Sequence, residues 1–182
     1  MAMPKQKPGR SVQNVGTPDW LIKVIEQTWG KIALDAAASH EYHVGEGMYY
    51  TKEDNALLQS WMVPAGCIVF INPPYGRMKG YSKGIGEWVQ AAHASAEFYG
   101  RTIVMLVPAS VGSKWWAEWV DQKAAVYFIR PRLVFKGHKD PYQKDLALLV
   151  YGEQPGYKCV YVTGETLKIE ELTGNVSDDS VN

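Results

Sequence analysis

Apolar residues along this chain follow two patterns, short continuous runs and stripes spaced three and four apart. The runs at 31–35, 67–71, 102–107, 125–129 and 146–151 are rich in Val, Ile, Leu and Phe and stop at Pro, Gly or charged residues. Such runs predict strands buried on both faces, as in a parallel sheet. The run at 102–107 is expected beside the one at 67–71, and the last two runs are expected to form an antiparallel pair near the C-terminus. Weaker strand signals lie at 49–51 and 157–163. Helical stripes fill the gaps. Trp20, Leu21, Val24, Ile25 and Trp29 share one face, with Thr17 predicted as the cap, Pro18 at the first helical position and Gly30 as the stop. Ile85, Trp88, Val89, Ala92 and Ala96 predict a helix over 85–99 ended by Gly100, and Ser113 precedes a third carrying Trp115, Trp116, Trp119 and Val120. Strands alternating with helices predict an α/β fold, a mostly parallel sheet with helices on both faces.

A chain of 182 residues suits a single well-buried core. Its expected organisation is a flexible basic arm over 1–16, a domain over 17–163 and an acidic, disordered tail over 164–182. Net charge is zero, so any nucleic-acid contact must come from local patches rather than a global field. Two cysteines, Cys67 inside an apolar run and Cys159 far away, have no zinc or disulfide spacing. His40 and His43 beside Glu41 and Glu46 fit no helical ligand pair, so no metal is expected. No apolar stretch reaches membrane-spanning length and no signal peptide is expected.

The chemistry concentrates where the run at 67–71 meets Asn72-Pro73-Pro74-Tyr75. The carboxyl end of a parallel strand is where open α/β sheets bind ligands. Two prolines fix the backbone and remove two N–H donors, leaving the Asn72 side-chain oxygen and the Pro73 carbonyl as rigid acceptors beside the Tyr75 ring. Two acceptors and an aromatic face suit a planar heterocycle with an exocyclic amino group. A carboxylate, Asp35, ends the run at 31–35 and is followed by Ala36-Ala37-Ala38, a slim loop that lets a ligand approach or, equally, the first turn of a packed helix.

Asn72-Pro73-Pro74-Tyr75 matches the catalytic tetrapeptide of amino-group methyltransferases. Together with Thr17-Pro18-Asp19-Trp20, Leu34-Asp35-Ala36-Ala37, Tyr50-Thr51-Lys52-Glu53-Asp54, Trp61 and Val107-Pro108-Ala109, in that order, the chain resembles phage-type DNA N-6-adenine methyltransferases over residues 15 to 152. The resemblance implies a single Rossmann-like class I methyltransferase domain and S-adenosyl-L-methionine as methyl donor. It also implies double-stranded DNA as partner, and a phage or prophage protein working in the bacterial cytoplasm as monomer or homodimer. It assigns catalysis to Asn72, Pro73, Pro74 and Tyr75, and the donor site to Thr17, Pro18, Asp35, Ala36, Ala37 and Asp54, with Asp54 reaching the donor's adenine amine. A plain helix start accounts for the acids at 53 and 54 equally well.

Two departures stand out. Ala38-Ser39-His40 replace the expected Gly-x-Gly, with Gly45 and Gly47 the nearest glycines, and the 36 residues at 36–71 are too few for two complete strand-helix units. DNA contacts are expected from Arg77, Lys79 and Lys83 just after the tetrapeptide and from Arg130, Arg132, Lys136 and Lys139 in the long basic connection between the last two strong strands. The tetrapeptide alone implies only a planar amine, so methylation of RNA or of protein glutamine, or a degenerate non-catalytic DNA-binding module, are the competing readings.

Overall fold

The structure, a computed structural model, describes residues 15–75, 84–163 and 166–170. The elements run α1 (Asp19–Trp29), β1 (Lys31–Asp35), β2 (Met48–Tyr49), β3 (Cys67–Ile71), α2 (Ile85–Tyr99), β4 (Ile103–Pro108), α3 (Lys114–Trp119), β5 (Ala125–Arg130), β6 (Leu146–Tyr151), β7 (Gly156–Thr163) and β8 (Thr166–Glu170). Among the described residues all eight strands form one sheet in the order β2-β1-β3-β4-β6-β5-β7-β8. The neighbours β2, β1, β3 and β4 are mutually parallel. Strand β6 lies antiparallel between β4 and β5, so β5 again runs with β4. The expected α/β class and antiparallel pair are both present, although β6 is inserted into the sheet rather than added at its edge.

Alternation along the buried strands divides the core in two. Ile68 and Phe70 of β3, with Val104 and Leu106 of β4, pack on Leu21, Ile22 and Ile25 of α1. Val69 and Ile71, with Ile103, Met105 and Val107, pack on Trp88, Val89, Ala92 and Ala96 of α2 and Trp116 of α3. A strand with both faces covered has no polar side to show, which is why these segments read as unbroken apolar runs. Helix α2 ends where the sequence places it: Gly100 takes the left-handed conformation (φ 59°) and its N–H bonds Ala96 O, satisfying an orphan carbonyl.

The middle of the domain is trimmed as the short spacing predicts. Between β1 and β3 stand only the two-residue β2 and a 3₁₀ turn at Ala56–Leu58. Gly45 and Gly47 serve the strands: a Cβ on Gly47 would lie 2.2 Å from Ala33 O, and one on Gly45 2.8 Å from Ile32 O. At the other end, residues 166–170, expected within the polar tail, pair antiparallel with β7 from Thr163↔Thr166 to Cys159↔Glu170. The sheet therefore runs one strand beyond the expected domain edge. No helix among the described residues is long and apolar enough to cross a membrane.

Candidate active site

Parallel pairing of β1 with β3 sets Asp35 level with Phe70 and brings Asn72 out two residues further along the same edge. Ala36 N–H donates to Phe70 O at 3.0 Å, tying the two exits together. A cleft of about 420 Å³ opens there. Its walls are Val15 to Thr17 before α1, Asp35 and Ala37 to Val44 after β1, Thr51 to Glu53, Phe70, Asn72 and Pro74 of the β3 exit, Trp88 of α2, and Lys136.

Asn72 is half-buried and held at both ends of its amide. Its Nδ2 donates to Thr17 Oγ1 at 3.1 Å, and its Oδ1 accepts from the Tyr75 hydroxyl at 2.8 Å. A carbonyl oxygen has two lone pairs, so Oδ1 keeps one acceptor position beside the Tyr75 bond. Pro73 is buried and Pro74 lines the cleft. The Tyr75 ring turns toward Tyr142 and Phe135, with centroids 5.7 and 6.5 Å away, rather than into the cleft. Burial pushes its phenol well above the usual range, so it stays a hydroxyl donor.

Asp35 is buried, and burial raises its carboxyl from 3.8 to about 7 despite N–H donation from Ala37 to Oδ1 (3.2 Å) and Val44 to Oδ2 (3.0 Å). Those two bonds curl the 36–44 loop around the acid. Ser39 closes the curl, accepting Tyr42 N–H on its Oγ at 3.0 Å while its own N–H donates to Tyr42 O at 2.8 Å.

Four expectations change. Thr17 is not a helix cap: α1 starts at Asp19 with Pro18 in the cap position and no side-chain cap bond, while the buried Thr17 hydroxyl serves Asn72. Asp54 does not reach the cleft, because its Oδ2 accepts from Thr51 N–H and Oγ1 at 2.7 and 2.8 Å. That first bond holds its carboxyl below the ordinary value, and of these two neighbouring acids it is Glu53 that lies on the cleft wall. Ala36 lies in the core while Ala37 lines the cleft; Pro18 is buried and is not one of the cleft walls. Lys136 is a cleft wall pinned to Asp19 (2.5 Å), its N–H bonded to Gly16 O at 2.8 Å.

Of the other basic residues, Arg132 pairs with Asp145 at 2.9 Å, and Arg130 and Lys139 are exposed, the former closing β5. Arg77, Lys79 and Lys83 lie outside the described residues. Phe70, Trp88 and residues 41–44 are cleft walls that the sequence pattern does not single out. The signal available for the first two was their position: one residue before the end of β3, and the first turn of α2.

A family profile described as DNA N-6-adenine-methyltransferase (Dam) matches residues 8–150. The chain belongs to the Dam DNA N-6-adenine-methyltransferase family. A DNA N-6-adenine-methyltransferase of Escherichia phage T1 is 31% identical to this Dam-family chain over 139 residues, covering 71% of it and 54% of the relative. The chain thus spans about half the length of that relative. Among solved structures, the type I restriction-modification methyltransferase subunit from Streptococcus thermophilus superposes on 81% of the Dam-family chain and 47% of its own. Its TM-score is 0.48 at 11% identity. The type IIL restriction-modification enzyme MmeI in complex with DNA covers 70% and 22%, with a TM-score of 0.42 at 10% identity.

Proposed function

We propose that this chain transfers a methyl group from S-adenosyl-L-methionine to the N6 amino group of adenine in double-stranded DNA, with the base turned out of the helix. The observation that carries the reading is the Asn72 amide, held at both ends at the mouth of a cleft that also contains a buried acid. Adenine N6 is a weak nucleophile because its lone pair is delocalised into the ring. Asn72 Oδ1, through its free lone pair, and the Pro73 carbonyl accept the two N–H bonds, which localises that lone pair and aims it.

The cleft suits the methyl donor by size and by donor set: small-molecule sites run from roughly 300 to 1,000 Å³ and combine apolar walls with a few placed polar groups. Asp35 and Glu53 meet ammonium or hydroxyl groups, and Phe70 and Trp88 offer aromatic wall. When bound, the donor supplies a methyl group already activated on a sulfonium. As the N6–carbon bond forms, the sulfur–carbon bond breaks with its electron pair staying on sulfur, and N6 then releases one proton to water. The chain's task is alignment, so no side chain need act as base.

Incubation of the protein with labelled S-adenosyl-L-methionine and unmethylated duplex DNA, followed by hydrolysis and identification of the labelled base, tests the reading. Label in N6-methyladenine, lost in Asn72→Ala, is the expected result. Saturable donor binding without label in DNA would shift the substrate to RNA or protein glutamine; no donor binding would leave a non-catalytic module.

A further inference from the structure

The Asn72 amide has two ends of nearly equal shape and opposite chemistry. Its last torsion is broad, so rotamer preference does not fix the plane of the amide; neighbouring hydrogen bonds must. Thr17 Oγ1, 3.1 Å from Nδ2, is such a neighbour, and it comes from a segment 55 residues away. Thr17 is only 4% exposed, so water does not replace it.

Its backbone is also clamped. Gly16 O accepts Lys136 N–H at 2.8 Å, and Lys136 Nζ reaches Asp19 on the far side of Pro18. Gly16 itself has no room for a side chain, since a Cβ there would meet the Tyr42 ring at 2.6 Å. Thr17 is therefore a fixed point against which the amide can be set.

We propose that Thr17 is the positioning residue of the catalytic loop: its hydroxyl sets the Asn72 amide so that Oδ1 faces the adenine N6. This rests on the methyl-transfer reading above. An amide released from that hold no longer aims Oδ1 at N6, and the reaction loses its alignment. Thr17 acts through Asn72 rather than on the donor, although both groups border the same cleft.

Thr17→Val keeps the shape and removes the hydroxyl; Thr17→Ser keeps the hydroxyl. Single-turnover methylation is expected to slow about ten- to a hundredfold in Thr17→Val, the scale of a misplaced reacting group. Thr17→Ser is expected to restore most of the rate. Donor affinity, measured by calorimetry, should stay within about twofold in both, because the Thr17 hydroxyl is bonded to Asn72 rather than to the donor. The side-chain amide signals of Asn72 in ¹H–¹⁵N spectra should move in Thr17→Val and return in Thr17→Ser. Wild-type rate and unmoved signals in Thr17→Val would overturn the proposal, as would a loss of donor affinity that matches the loss of rate. If the wild-type chain methylates no DNA, the methyl-transfer reading fails by itself, and the Asn72 signals still decide whether Thr17 sets the amide.

Discussion

The exits of β1 and β3 and the 131–145 connection leave the same edge of the sheet, since β5 runs parallel to β4 through β6, yet they are built in opposite ways. At the exits the polar groups turn inward and bind one another: Thr17 to Asn72, Tyr75 to Asn72, Ala37 and Val44 to Asp35. In the connection most charged side chains are exposed, Lys136 on the cleft wall apart, and the buried side chains are apolar. Leu133 and Phe135 are buried in the α1-side core, and Tyr142 N–H bonds Leu133 O at 2.7 Å. A site that must hold one geometry invests in buried hydrogen bonds, whereas an exposed connection needs only an apolar anchor.

Five variants sharpen that contrast. The largest effect belongs to Asn72→Ala, which should lower turnover by at least about a hundredfold, as removal of a placed acceptor does. Urea unfolding should show little change in stability, since the half-buried Asn72 belongs to the site and not to the core. Phe135→Ala reverses the pattern. Removing a buried aromatic should cost about 3–5 kcal/mol of stability in the same unfolding measurement, and it should loosen the wall against which Tyr75 rests.

Asp35 comes next. Its carboxyl sits at about 7 in the fold against an ordinary 3.8, so between those values the native state holds a proton that the unfolded chain has released. Stability therefore falls as pH rises through that window, by about 2–4 kcal/mol from this group. Thermal unfolding across the range should show the wild-type slope flattened in Asp35→Asn; an unchanged slope would mean that the acid is ionised throughout.

The smallest effect is the paired change Arg132→Ala and Lys139→Ala. DNA affinity should weaken and its salt dependence flatten by about 0.9 per lost phosphate contact, with donor affinity unchanged. Stability should shift by less than about 1 kcal/mol, because the Arg132–Asp145 pair is exposed. Lys136→Met should instead disturb both ligands, because Lys136 borders the cleft and clamps the segment carrying Thr17.

Local pattern made the framework legible. The 85–99 stripe and its terminal glycine define α2 because both cues lie within the element, and β3 follows from an apolar run bounded by turn residues. The errors sit where the deciding partner is distant or where neighbours are chemically alike. Thr17 before Pro18 satisfies a helix-start signature, but its hydroxyl answers to a side chain 55 positions on. Glu53 and Asp54 are adjacent acids, and only the turn bonding Asp54 N–H to Thr51 O decides which one faces the cleft. In the 131–145 stretch, Leu133 and Phe135 are too few among the charges to set a period, so the anchor stayed hidden beneath the more visible basic residues.

The insertion of β6 between β4 and β5 also bears on synthesis. The chain emerges from the ribosome with β4 and β5 made well before the strand that joins them. Until Leu146–Tyr151 arrives, both carry an unpaired apolar edge, a template for the wrong partner. A nascent chain stopped short of residue 146 should therefore aggregate or recruit chaperones, while one carried past Tyr151 should close β4 and β5 into a single sheet.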